Sequence, residues 1–467
     1  MEEESNYPDK HNEVGSSIKR FEEMIKNKTE YFFDVHEIED IVDHYIGEYR
    51  WPDALKTLEF GLSLHPFSFN LLIRKAHLLS DMKKPNEGLC TIKIIETICP
   101  DNNELYIIKG NILSQLGEHA NSINCYKKAL DLEVEKDDIL MCIAFEYQSL
   151  NLNKKALIYF KKAIEENPDQ EIALYELAFC YEEENLLEES TKYYIKYLDQ
   201  HPYSHAAWYN LGISYSKMGK HLNAINAYDF AIAIDENFAS GYFNKAHALA
   251  HLGNYHEAIA LYKETFKYED PEAYTYYYIG ECLEKAGRSE EALEQYQETI
   301  KLDPEFSDAW LAMGIILNKL NKPDEGLTYI RKAIDIDPEC SENWMEYANL
   351  ILKFDEIEDA VYAYNKAISL DPFNIKAWVN YGAMLIKVKN NKQAIKIIRD
   401  GIKKNPENPD LYYYYCGLLL SLKDKRTAYE IFEKALKLNY DKHTLLFDFH
   451  PETKKNATIL DLIGTYG

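Results

Sequence analysis

Residues 202–231 read PYSHAAWYNLGISYSKMGKHLNAINAYDFA, and the spacing within this stretch decides the fold. Pro202 cannot continue a helix interior, so it marks a helix end and the turn after it. Beyond it Trp208, Leu211 and Tyr215 recur around Gly212 at helical spacing, which predicts an amphipathic helix. Ala224, Tyr228 and Ala231 mark a second helix in the same way. Small residues on both helices let them approach closely while the larger ones fill the flanks, so the stretch is expected to be a helical hairpin.

The same punctuation runs along the chain. Pro66, Pro100, Pro168, Pro202, Pro304, Pro338, Pro372 and Pro406 lie on one 34-residue grid, with Val134, Glu236 and Asp270 at the steps where proline is missing. Ten residues past every grid point stands a small residue, from Ala76 and Gly110 to Gly382 and Cys416. Twenty-two past stands another, from Gly88 and Ser122 to Ala394 and Ala428. Tyr126, Phe160, Tyr194, Tyr228, Tyr262 and Tyr296 share one second-helix column and read as packing residues.

The pattern Trp208-x-x-Leu211-Gly212-x-x-Tyr215, then Ala224-x-x-x-Tyr228, with its periodic proline, resembles the tetratricopeptide repeat. In that phase twelve repeats begin at 35, 69, 103, 137, 171, 205, 239, 273, 307, 341, 375 and 409 and cover residues 35–442 without an insertion. The first repeats are divergent, 35–68 having Ile38 and Val42 where the pattern has Trp and Gly. The resemblance implies an all-α, right-handed superhelical α-solenoid of about twelve helix-turn-helix repeats that binds other proteins. Residues 1–34 form an acidic segment, expected to be disordered over 1–15 and to form a capping helix over 16–28, with Ile18, Phe21 and Ile25 inward and Ser17, Glu22 and Glu23 outward. Residues 443–467 carry Leu445, Leu446, Phe447, Phe449, Ile459, Leu460, Leu462 and Ile463, an apolar set suited to closing the last repeat.

Composition narrows the function. With 467 residues and 46% hydrophobic residues the chain is ordered and too long for one ordinary core. A net charge of −26 leaves no broad basic face for nucleic acid or anionic lipid, so neither is an expected partner. Charge is uneven, sixteen acidic against seven basic residues in 1–60 and eight basic against two acidic in 375–408, which raises self-association between unlike ends as one alternative. The eight cysteines are scattered without C-x-x-C, as expected of reduced and mostly buried thiols. Met1-Glu2-Glu3-Glu4 begins no signal peptide, and no run of 18 apolar residues occurs, so a soluble cytoplasmic protein is expected.

No phosphate-binding glycine loop, nucleophile elbow or H-E-x-x-H motif is present, so a non-catalytic role without cofactor is expected. His247 and His251, one helical turn apart, are the best metal candidates and support a second alternative, a metal-assisted or substrate-holding repeat protein. The sequence fixes no third ligand for them. The segment 201–205, with His201 and His205, reads as a solvated turn, and the runs Glu182-Glu183-Glu184 and Glu188-Glu189 as a wet helix face.

In a stack of hairpins the first helices line the concave side. At the fifth position of four successive repeats stand Tyr175, Tyr209, Phe243 and Tyr277, and at the sixth Glu176, Asn210, Asn244 and Tyr278. The core of a hairpin uses the fourth, seventh, eighth and eleventh positions, so these side chains are expected to face a partner. Family members that hold extended peptides grip the backbone with asparagines at this sixth position, which Asn210, Asn244 and Asn380 match. Together with Glu182, Glu281 and Glu284, the column predicts a groove for a peptide or protein partner, a basic extended segment in particular.

Overall fold

A computed structural model describes residues 10–27, 31–132 and 136–466. Every regular element among the described residues is a helix. In all twelve repeats the first helix starts on the residue that the 34-residue register assigns, from Val35–Gly47 to Pro409–Ser421, and the second begins sixteen residues later, from Trp51–Leu64 to Lys425–Leu438. The divergent first repeat keeps this register. Val134, Lys28 and residues 1–9 lie outside the described residues. The chain divides into two compact units, 1–248 and 249–467.

Between the two helices of every repeat one residue takes a left-handed backbone. Gly117, Gly219, Gly253 and Gly287 hold this place, as do Asn151, Asn185 and Asn321, but so do Asp355, Tyr49, Lys83, Lys389 and Lys423, all at φ between 54 and 82°. Glycine adopts this conformation at no steric cost and asparagine tolerates it, whereas a Cβ with a long or aromatic side chain is strained there. The turn is therefore imposed by packing of the two helices, not by the local residue.

The periodic proline and the periodic tryptophan belong to one device. Trp208, Trp310, Trp344 and Trp378 each donate from the indole Nε1 to the carbonyl of the proline six residues earlier, at 2.8–3.0 Å, and Tyr412 reaches Pro406 in the same way at 3.1 Å. Asp303, Asp337 and Asp371 accept from the amide two residues on, turning the chain across the proline. Asp34, Ser68, Asn102, Ser204, Asn374 and Asn408 then cap the helix that follows.

Inside the hairpins the small columns are steric requirements. A Cβ built on Gly110, Gly212 or Gly280 would lie 2.4–2.6 Å from the ring of Tyr126, Tyr228 or Tyr296. Each glycine makes room for a buried tyrosine of its own second helix. Successive first helices also pack on one another, Glu171–Glu183 on His205–Lys217 in the first unit and Ser307–Lys319 on Ser341–Ile351 in the second, and so line the inner side of each stack.

The ends are lidded, with two departures from the sequence reading. The first helix is Lys10–Asn27, so order begins before residue 16. Its inward residues are Phe21 and Met24, against Phe33 and Phe60, while Ile25 is 57% exposed. Ile25 follows Met24 directly, and one step along a helix rotates a side chain by about 100°, which carries it off the buried stripe. At the other end Leu446 and Ile459 are fully buried, but Phe449 and Leu460 remain more than a third exposed. Cys125, Cys180, Cys282 and Cys416 are buried, and Cys90 is exposed.

Candidate partner-binding face

In the first unit the inner-face aromatics are half-buried and touch one another. Tyr175 meets Tyr209 edge-on at 6.0 Å between ring centroids. Tyr209 also lies 5.9 Å from Tyr228, the buried tyrosine of its own second helix, and 5.0 Å from Phe238 at the start of the next repeat. The second unit repeats the arrangement, with Tyr277 at 5.5 Å from Tyr296 and 5.0 Å from Phe306. The expectation that fifth-position aromatics play no part in the hairpin is thus corrected: Tyr209 and Tyr277 join their own second helix to the junction that follows. Phe238 and Phe306 occupy the cap position, where five other repeats place a capping Ser or Asn, and the junction there is filled by rings instead.

The sixth-position residues divide. Asn210 is 1% exposed, because its helix is packed on the preceding first helix and on its own second helix, so it does not line a surface as expected. Asn244 is half-exposed and donates from Nδ2 to the Tyr209 hydroxyl at 2.9 Å and to the Ser240 carbonyl at 3.0 Å. Glu176 accepts from Gln148 Nε2 at 2.8 Å. Phe243 is half-buried. In the second unit Tyr278 stacks on Tyr262 at 6.1 Å, and Glu281 lies 3.9 Å from Lys285. Glu182 and Glu284 are each paired with a lysine of the following repeat, Lys217 at 2.5 Å and Lys319 at 2.7 Å.

Electrostatics keep the phenols neutral. Burial, reinforced by the Glu171 charge, pushes Tyr175 up to about 12, and burial raises Tyr209 against the opposing bond from Asn244. These tyrosines are therefore hydroxyl donors and apolar faces at neutral pH, not anions.

A second inner-face feature escaped the sequence reading. Asn380 donates to Asn349 Oδ1 at 3.3 Å, and the same oxygen accepts from Tyr364 at 2.5 Å. These three residues with Lys353 and Lys387 line a cleft of about 560 Å³. Only Asn380 was legible from its position. Lys353 and Lys387 belong to a column at the thirteenth position with Lys217, Lys285 and Lys319, a periodicity visible in the sequence once the register is known.

Among the described residues no group of three or more His, Cys, Asp or Glu side chains is placed to hold a metal ion, and His247 and His251 belong to none. No described helix is long and apolar enough to cross a membrane. Glu182, Glu183, Glu188 and Glu189 are exposed, and in the 201–205 turn Tyr203 is exposed while His201 stacks on Tyr197 at 4.6 Å.

Family models described as tetratricopeptide repeat match residues 104–133, 139–170, 205–238, 243–305, 279–339, 311–375 and 363–396. No curated protein matches the chain. Among solved structures, yeast Tom70 is 16% identical with a TM-score of 0.48, over 91% of this chain and 98% of that one. YrrB, a TPR protein with an unusual peptide-binding site, is 20% identical with a TM-score of 0.33, over 39% of this chain and 95% of its own. MamA is 20% identical with a TM-score of 0.33, over 36% and 97%.

Proposed function

Because this chain belongs to the tetratricopeptide-repeat family, we propose that it is a non-catalytic scaffold whose inner face between residues 171 and 248 holds a peptide or protein partner. The observation that carries the reading is the half-buried Tyr175, beside the Glu171 charge and within edge contact of Tyr209, with Glu176 next to it in sequence and the exposed Glu182 two helical turns on. A ring face flanked by carboxylates suits a lysine or arginine side chain, which gains from both. Asn244, half-exposed at the sixth position of the next first helix, offers its side-chain amide to a ligand backbone. Neighbouring first helices at about 10 Å and an extended chain at roughly 3.3 Å per residue bring successive rungs to about every third ligand residue. A cytoplasmic location accords with this role and is checked by cell fractionation.

The test is fluorescence anisotropy with labelled extended peptides that place Lys or Arg at every third position. Tyr175→Ala and Glu182→Lys are expected to weaken binding at least tenfold while helical content by circular dichroism stays constant. Tyr209 is unsuitable for this purpose, since it also packs against Tyr228. Equal affinity of wild type and both variants would remove residues 171–248 as the binding face.

A further inference from the structure

Two neighbouring second helices of the first unit, His119–Leu132 and Asn153–Glu166, carry five lysines whose ammonium groups gather over tyrosine rings. Lys127 Nζ lies 5.6 Å from the Tyr147 ring centroid and 5.8 Å from that of Tyr159, and its 3.1 Å hydrogen bond to the Tyr147 hydroxyl holds it there. Lys155 approaches Tyr147 at 5.5 Å and Lys162 approaches Tyr159 at 5.2 Å. Lys161 sits between Tyr181 at 5.1 Å and Tyr193 at 5.3 Å, and Lys128 lies 5.1 Å from Tyr106.

Among the described residues no carboxylate stands against these lysines. Acidic residues outnumber basic ones 78 to 52 in this chain, and many of its other lysines, such as Lys75, Lys109, Lys217, Lys245 and Lys319, stand within 4.0 Å of a carboxylate. None of the five forms an ion pair with a described carboxylate. Glu165 acts on Lys161 only at longer range, and burial lowers the Lys161 ammonium below the ordinary lysine value, a cost that a bound carboxylate would relieve. Ring faces hold the cations in place without discharging them.

We propose that Lys127, Lys128, Lys155, Lys161 and Lys162, seated on Tyr106, Tyr147, Tyr159, Tyr181 and Tyr193, form a docking surface for an acidic segment of a partner protein. It is a second surface, opposite in sign to the inner face and independent of it. Lys155 and Lys162 are seven residues apart on one helix, about 10 Å along its axis, and the neighbouring second helix adds a comparable width. An extended segment of four to six residues rich in Asp or Glu spans that distance. A nucleic acid fits less well, since its charge recurs about every 1.7 Å and would run past the patch onto the acidic remainder of the chain. Stacking platforms for bases also need open ring faces, and here an ammonium group lies over each ring.

The experiment titrates full-length protein into a fluorescein-labelled octaglutamate peptide at about 50 mM salt, where screening is weak. A variant carrying Lys127→Gln, Lys155→Gln and Lys161→Gln is expected to lose at least tenfold in affinity. A matched variant in the basic repeat, Lys392→Gln, Lys396→Gln and Lys404→Gln, is expected to keep the wild-type value. Circular dichroism reports whether each variant is folded, and the single change Lys155→Gln at an exposed position gives a smaller loss. The proposal is overturned by absence of octaglutamate binding to wild type, or by equal loss in both triple variants. Tighter patch-dependent binding of single-stranded DNA or of phosphatidylserine vesicles also overturns it, as does a patch-dependent dimer seen by light scattering, which would make a second copy the occupant.

Discussion

The repeat at 35 and the repeat at 205 have one outline, a 13-residue helix followed by a 14-residue helix, and fill it with different side chains. Where the later repeat sets Gly212 against Tyr228, the earlier sets Val42 against Leu58, all of them buried. Gly219 makes the turn of one and Tyr49, at φ 58°, that of the other. The later hairpin is tied to its junction by the Trp208 indole, whereas Ile38 at the same position of the earlier one has no donor and is fully buried. The hairpin therefore requires a summed volume at facing positions and a left-handed residue between its helices. It does not require the residues by which the repeat is recognised.

Breaking the volume match should have the largest effect. Gly212→Val places carbon against the Tyr228 ring, where even a Cβ would stand at 2.4 Å, and should cost about 1–3 kcal/mol in urea unfolding. Adding Tyr228→Leu reproduces the Val–Leu pair of the first repeat and should restore more than half of that loss. A double variant no more stable than the single one would refute volume matching. Ala224→Leu, at a fully buried position of the second small column, should cost a similar amount with no such partner to relieve it.

The junction bond comes next. Trp208→Phe keeps a ring to stack on Phe230, which lies 4.4 Å from the indole, but removes the donor to Pro202, and should cost about 1 kcal/mol. The equivalent change at Trp344 should cost the same, since its bond to Pro338 has the same geometry. Unequal losses, read from thermal melts, would show that the two junctions are held differently.

At the turns the sign should reverse between the repeats. Tyr49→Gly relieves a left-handed Cβ and should raise stability by about 0.5–1 kcal/mol, while Gly219→Ala introduces one and should lower it by about as much. The smallest effect is expected at the surface pair Lys217–Glu182, whose partners are 53% and 41% exposed. Removing it by Lys217→Ala should change stability by less than about 1 kcal/mol, and that difference should vanish in high salt.

How much was legible follows from these features. The register was, because proline and small residues recur at most of the places where a helix ends or two helices touch, often enough to fix one phase along the chain. The class of function was legible with it through the family resemblance. The inner-face site was legible only in part. Tyr175 and Asn244 keep part of their surface open, but Asn210 is buried and Tyr209 serves the hairpin as well, because position in a repeat does not say how neighbouring rings fill the junction.

By itself, then, the sequence determined where each of the twelve repeats begins and which positions are small, since these depend on spacing within one repeat. Only the tertiary structure decided which members of a column remain exposed, that Asn349 and Asn380 share a cleft with Lys353 and Lys387, and that Lys127, Lys155 and Lys161 gather over tyrosines from other helices. Those juxtapositions join residues of different repeats, and the distance between such residues is set by how hairpins stack, which periodicity along the chain does not encode.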